Sequence, residues 1–141
     1  SILNLSKTEE YRSDVLLLKS VPGISTLTAM TLLTELVDIS RFSSLDKLAS
    51  YAGLVPDIQS SGETEYTRGI TFRRNAAMRS LLIEASWIAV RKDPALMMAF
   101  DKLTKRMKKT QAIVHIARKL LNRIRFVLKN REKYVPAVVS L

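Results

Sequence analysis

The chain has 141 residues, 47% of them apolar, which is enough for one domain with a proper core. It has no cysteine and a single histidine, His115, so disulfides, thiolate metal sites and multi-histidine zinc sites are excluded. The net charge is +10, and no apolar run is long enough for a membrane span.

The opening segment SILNLSKTEEYRSD lacks the charged and apolar regions of a signal peptide, and it begins without Met, as expected of a fragment of a longer chain. A first helix is predicted over about Glu9–Lys19, with Val15, Leu16 and Leu18 on its apolar side. Val21-Pro22-Gly23 stops it, because Pro-Gly breaks helices strongly. Ser25 or Thr26 caps a second helix that runs to about Val37. After the connector DISRFSS, Ser44 caps a short helix that Gly53 ends. Residues 55–72 then read as a serine loop. The β-favouring run TEYTRGITF within it predicts a short hairpin or an extended segment. A long helix, about Arg73–Arg91, is apolar on almost every side and is expected to be the central one. Asp93-Pro94 is a helix start, and Leu96, Phe100, Leu103 and Met107 form one seam. KRMKKT is a basic connector into a last helix, about Gln111–Lys129.

That last helix is amphipathic. At about 100° per residue, Ile113, Ile116, Leu120, Ile124 and Val127 share one face. His115, Arg118, Asn122, Arg125 and Lys129 share the opposite one. The segment Lys102–Lys133 holds twelve basic residues against the single acid Glu132, a net +11, while the remaining residues hold eleven basic and twelve acidic, a net −1. A nearly neutral body thus carries a strongly cationic C-terminal third. Nucleic acid is the leading partner for such a block, with an acidic membrane surface or an acidic protein behind it. The polar strip reads as a phosphate-contacting surface, with a merely solvated outer face as the alternative. The fold expected is all-α: a compact bundle of about five to six helices, helix-hairpin-helix-like at its N-terminal end. In that hairpin the amides around Gly23 and Ser25 are candidates for a DNA phosphate, and an ordinary helix–helix turn is the alternative.

The pieces LLKSVPGISTLTAMTLLTELVDISRFSSLDKLASYAGLVP, SSG, RGITFRRNAAMRSLLIEASWIAVRKDPAL and AIVHIARKLLNRIRFVLKN occur in this order. Together they resemble the C-terminal domain of the DEDD-type insertion-sequence transposases, relatives of the Piv and MooV DNA invertases, some of which use a bridge RNA. The resemblance implies a single transposase C-terminal domain, with residues 1–14 as the end of a linker helix, 15–54 as the hairpin part, 55–72 as the serine loop and 73–130 as the helical core. It implies a RuvC-like N-terminal domain elsewhere in the longer chain, carrying four acidic ligands for a divalent metal such as Mg, and no cofactor in this fragment. It makes Ser61, just before Gly62, the candidate nucleophile on a DNA phosphate, with Ser60 in reserve. It also implies DNA as partner, a guide or bridge RNA as a further one, a homo-oligomer, and a bacterial cytoplasmic, nucleoid-associated setting. The chain departs from the family pattern at Phe72 and Arg74.

Phosphoryl transfer needs cations on the non-bridging oxygens. Arg68, Arg73, Arg74 and Arg79 lie within eighteen residues of Ser61 and suit that task. Glu63 and Glu65 are close acids, and neither is an obvious base. The expected active site is therefore composite, with serine from here and metal from the other domain. This fragment alone should bind nucleic acid without cutting it. The alternative is a non-catalytic helix-hairpin-helix nucleic-acid module.

Overall fold

The computed structural model describes residues 2–54 and 69–136, with side chains described over 7–54 and 76–136. Six α-helices and one 3-10 turn make up the described chain: α1 (Ile2–Lys19), α2 (Thr26–Leu36), the turn Ile39–Arg41, α3 (Leu45–Tyr51), α4 (Gly69–Lys92), α5 (Pro94–Thr104) and α6 (Lys109–Asn130). The described residues contain no strand, so the all-α expectation holds.

The caps follow the sequence. Ser25 Oγ accepts from Thr28 N at 3.2 Å at the head of α2, and Ser44 Oγ accepts from Lys47 N at 3.2 Å at the head of α3. Asp93 Oδ1 accepts from Ala95 N at 2.9 Å and Leu96 N at 3.3 Å, with Pro94 in the first turn of α5. Each satisfies amide donors that a helix start leaves open. At the far end of α3, Gly53 takes φ +70. Gly53 N then reaches Ser50 O at 3.1 Å and Leu54 N reaches Ala49 O at 2.8 Å, a Schellman closure that buries Leu54.

Several expectations are corrected. α1 starts near Ile2, not Glu9, because no glycine or proline interrupts residues 1–19. Its buried side is Leu17 and Leu18, and Leu16 is exposed. α4 begins at Gly69, so Gly69–Phe72 join the helix instead of a hairpin; the β preference of Ile70 and Thr71 yields to the helix that follows. α4 is also one-sided. Met78, Leu82, Ala85 and Ala89 are buried, whereas Ile88 is exposed.

The interior helix is α6. All five predicted apolar residues are buried, together with Ala112, Ala117, Leu121 and Leu128. It packs against α4, α5, α1 and α3. Of the predicted seam, Leu96 is buried and Phe100 and Leu103 pack on the core, with Phe100 edge-on to Trp87 at 5.5 Å between centroids, whereas Met107 lies beyond the end of α5 at Thr104. The α2–α3 connector is pinned by Arg41, which lies over the rings of Phe42 and Tyr51 at 5.3 and 5.6 Å and donates to Leu36 O at 2.8 Å.

Candidate nucleic-acid interface

Gly23 lies in the turn between α1 and α2 with φ +93, in the left-handed region that favours glycine. A Cβ there would overlap the Ala85 carbonyl oxygen and come within 3.0 Å of Ala89 Cβ. The turn therefore sits directly on α4, and packing alone accounts for the glycine. Ser25 acts as the α2 cap, and its hydroxyl also lies 2.9 Å from Thr28 Oγ1. An open groove of about 400 Å³ runs beside this turn, lined by Ser25, Thr28, Trp87, Ile88 and Arg91 among others.

Ser60, Ser61 and Arg68 lie outside the described residues, as do Glu63 and Glu65. Arg73 and Arg74 fall in the first turns of α4, and their side chains are likewise outside the described set. Arg79 is described and exposed. Its Nε donates to Gly53 O at 3.2 Å, and its stem lies across Gly53. This arginine ties α4 to the end of α3, immediately before residue 55, where the serine stretch begins.

The predicted polar strip of α6 is only partly open. Arg118 forms an ion pair with Asp46 of α3, and Arg125 Nη2 donates to Ser43 O at 3.3 Å. Arg125 Nε is buried without a hydrogen-bond partner. His115, Arg118 and Arg125 are half-buried, and Asn122 and Lys129 are exposed. The strip thus covers the head of α3 along much of its length. A helical wheel shows which residues share a face but not what packs on it.

Two clusters that sequence reasoning did not single out also emerge. The first is structural. Asp93 is 2% exposed and pairs through Oδ2 with Arg123 Nη1 at 2.5 Å. Arg123 lies over the Tyr134 ring at 4.6 Å, and Tyr134 N donates to Ser20 Oγ at 2.8 Å. Burial pushes the Tyr134 phenol above its ordinary 10.0; Arg123 opposes this, and Asp93 adds to it. The second cluster is the corner between α5 and α6. Lys102, Lys105, Arg106, Lys108 and Lys109 are all exposed there, and none takes part in the ion pairs found among the described residues. The run KRMKKT was visible as a charge run, but its exposure depended on the fold.

Among the described residues no three His, Cys, Asp or Glu side chains gather to hold a metal ion. The described residues are therefore not fitted to the divalent metal that the resemblance implies. No helix of the described residues is long and apolar enough to cross a membrane.

Comparison with known proteins gives the family. The model of the transposase IS116/IS110/IS902 family matches residues 15–102. A pilin gene-inverting protein of Moraxella lacunata is 36% identical over 127 residues, 85% of this chain and 38% of that protein. An insertion element IS110 protein of 43.6 kDa from Streptomyces coelicolor is 30% identical over 128 residues, 88% of this chain and 32% of that protein. The transposase for insertion sequence element IS1111A of Coxiella burnetii is 34% identical over 82 residues, 58% of this chain and 22% of that protein. The chain therefore spans less than two fifths of the length of these relatives, and no solved structure matches it. The match begins in α1 and runs through the Gly23 turn, the serine stretch and α4 into α5; this chain belongs to the transposase IS116/IS110/IS902 family.

Proposed function

We propose that this chain is the C-terminal, DNA-holding part of a DEDD-type transposase or site-specific recombinase related to the Piv and MooV invertases. The observation that carries the reading is the family match over residues 15–102, which includes the serine stretch. The similarity to pilin gene-inverting proteins supports recombination as the reaction class.

In this reading Ser61 supplies the attacking oxygen. Its Oγ gives up its proton and bonds to a DNA phosphorus, the phosphorus–oxygen bond to the departing strand breaks and that oxygen takes up a proton, and a phosphoserine link holds the other strand until rejoining. Arg79, fixed at the end of α3, and Arg68, Arg73 and Arg74 nearby in sequence supply positive charge for the phosphate oxygens. The acidic metal site belongs to a RuvC-like domain outside this chain, so the active site is shared between domains. A homo-oligomer brings two such sites to two strands, and a guide or bridge RNA is a further partner of the full-length protein.

The test is Ser61→Ala in the full-length protein, with recombination and DNA binding measured side by side. Loss of the nucleophile lowers recombination by about three orders of magnitude or more while binding is kept. Recombination at the normal rate with normal binding overturns the nucleophile assignment and leaves a non-catalytic nucleic-acid module.

A further inference from the structure

We propose that the corner between α5 and α6, carrying Lys102, Lys105, Arg106, Lys108 and Lys109, is the surface by which this chain grips the phosphate backbone of duplex DNA. The inference rests on the reading of the chain as the DNA-holding part of a recombinase. It moves the grip away from the α6 strip.

Arg118 and Arg125 of the strip are committed to Asp46 and to the Ser43 carbonyl. Lys129 is the exposed cation left on it. The corner presents five exposed cations within eight residues, and the one acid beside them is Asp101.

Arg106 N and Met107 N both donate to Leu103 O at 3.1 Å, and Lys108 N donates to Gln111 Oε1 at 3.3 Å. Leu103 packs against the core. The cations therefore project from a fixed backbone, and holding a phosphate costs side-chain ordering without folding a loop.

From the helix rise and the tight turn, the five Cα atoms span about 15 Å or less. Along the axis of a duplex that length passes roughly four phosphates of one strand.

No large apolar side chain is exposed between Lys102 and Lys109, so the corner has nothing to insert into a membrane and no anchor for a protein interface. It carries no Phe, Tyr or Trp on which an unpaired base would stack. What remains is a set of point charges suited to a regular double-stranded backbone and indifferent to sequence.

The experiment uses the full-length protein and a mixed-sequence DNA duplex of about 30 base pairs, with binding followed over a range of salt concentrations. The triple variant Lys105→Ala, Arg106→Ala, Lys109→Ala should lower the salt slope by about 2–3, at about 0.9 per phosphate contact. By the same slope, each contact is worth roughly fivefold near 0.15 M salt, so affinity there should fall on the order of a hundredfold. The strip variant Asn122→Ala, Lys129→Ala should change the slope by no more than about 1. Should the triple variant unfold, Lys105→Gln and Lys109→Gln singly should each lower the slope by about 0.9. A corner variant with the wild-type slope overturns the proposal while leaving the Ser61 reading standing, because that reading is tested by recombination. A loss of affinity confined to an RNA duplex of the same sequence also overturns it. Salt-independent DNA binding by the wild type overturns the corner as a phosphate grip, and absence of DNA binding by the wild type overturns the DNA-holding role as well.

Discussion

Replacing Gly23 with alanine separates the two readings of the hairpin. If the glycine exists to let a phosphate approach the backbone, Gly23→Ala should weaken DNA binding and leave the free protein intact. The geometry predicts the reverse. With φ at +93, a side chain at this position costs about 1–2 kcal/mol in backbone strain. The new Cβ also overlaps the Ala85 carbonyl oxygen and crowds Ala89 Cβ at 3.0 Å. That carbonyl belongs to the middle of α4, where backbone cannot shift without disturbing the packing around Met78, Leu82 and Ala89. Strain and overlap together make a loss of about 3 kcal/mol, which is roughly 10 °C in Tm for a domain of this size. Urea denaturation of the DNA-free protein measures it, and an unchanged m-value confirms that the same structure is being unfolded. Unaltered stability of Gly23→Ala combined with weakened DNA binding would refute the packing argument and return the turn to the phosphate-binding role.

Two further substitutions test the frame around the site. Val37 has φ +63 and ψ −60, and Asp38 N reaches Leu36 O at 2.6 Å across it, which is a strained γ-turn centred on a β-branched residue. The side chain is 76% exposed, so Val37→Gly loses little contact. After the entropy cost of glycine it should raise stability by about 0.5–1 kcal/mol, read as a higher urea midpoint. Asp93→Ala removes the α5 cap and leaves Arg123, whose side chain is 17% exposed, without its carboxylate. A loss of about 3–4 kcal/mol is expected in the same assay, and Asp93→Asn, which keeps the cap acceptor, should lose less.

The legible parts of this chain were those fixed by local physics. Ser25, Ser44 and Asp93 cap helices because short polar side chains can reach amides two or three residues on, and that depends on sequence spacing alone. Gly53 ends α3 for an equally local reason. The apolar face of α6 followed from its period. What lay beyond reading was the identity of neighbours. α4 is apolar in composition, so it was expected at the centre, yet α6 is the helix surrounded by others, because it packs on four helices at once. The α6 strip looked solvent-facing because nothing in its own residues announces that the head of α3 lies on it. The serine stretch was found through its resemblance to a family, and the family match includes it.

The charge block shows why a count of cations cannot locate a binding surface. Twelve basic residues lie between Lys102 and Lys133, but the fold divides them by chemistry. Arg118, Arg123, Arg125 and Arg131 each reach across to another element: Asp46, Asp93, the Ser43 carbonyl and Asp14. A planar guanidinium with several fixed donors is suited to such bridging, and these four fasten the interior helix to α3, α5 and α1. The lysines are left out of these bridges. A compact ammonium on a flexible stem remains hydrated and available, which suits attraction to a phosphate backbone without reading bases. Four of the five corner cations are lysines. A charge-reversal scan of the block should therefore separate into two classes, with changes at Arg118, Arg123, Arg125 and Arg131 lowering the stability of the free protein and changes at the five corner cations lowering affinity for DNA at unchanged stability.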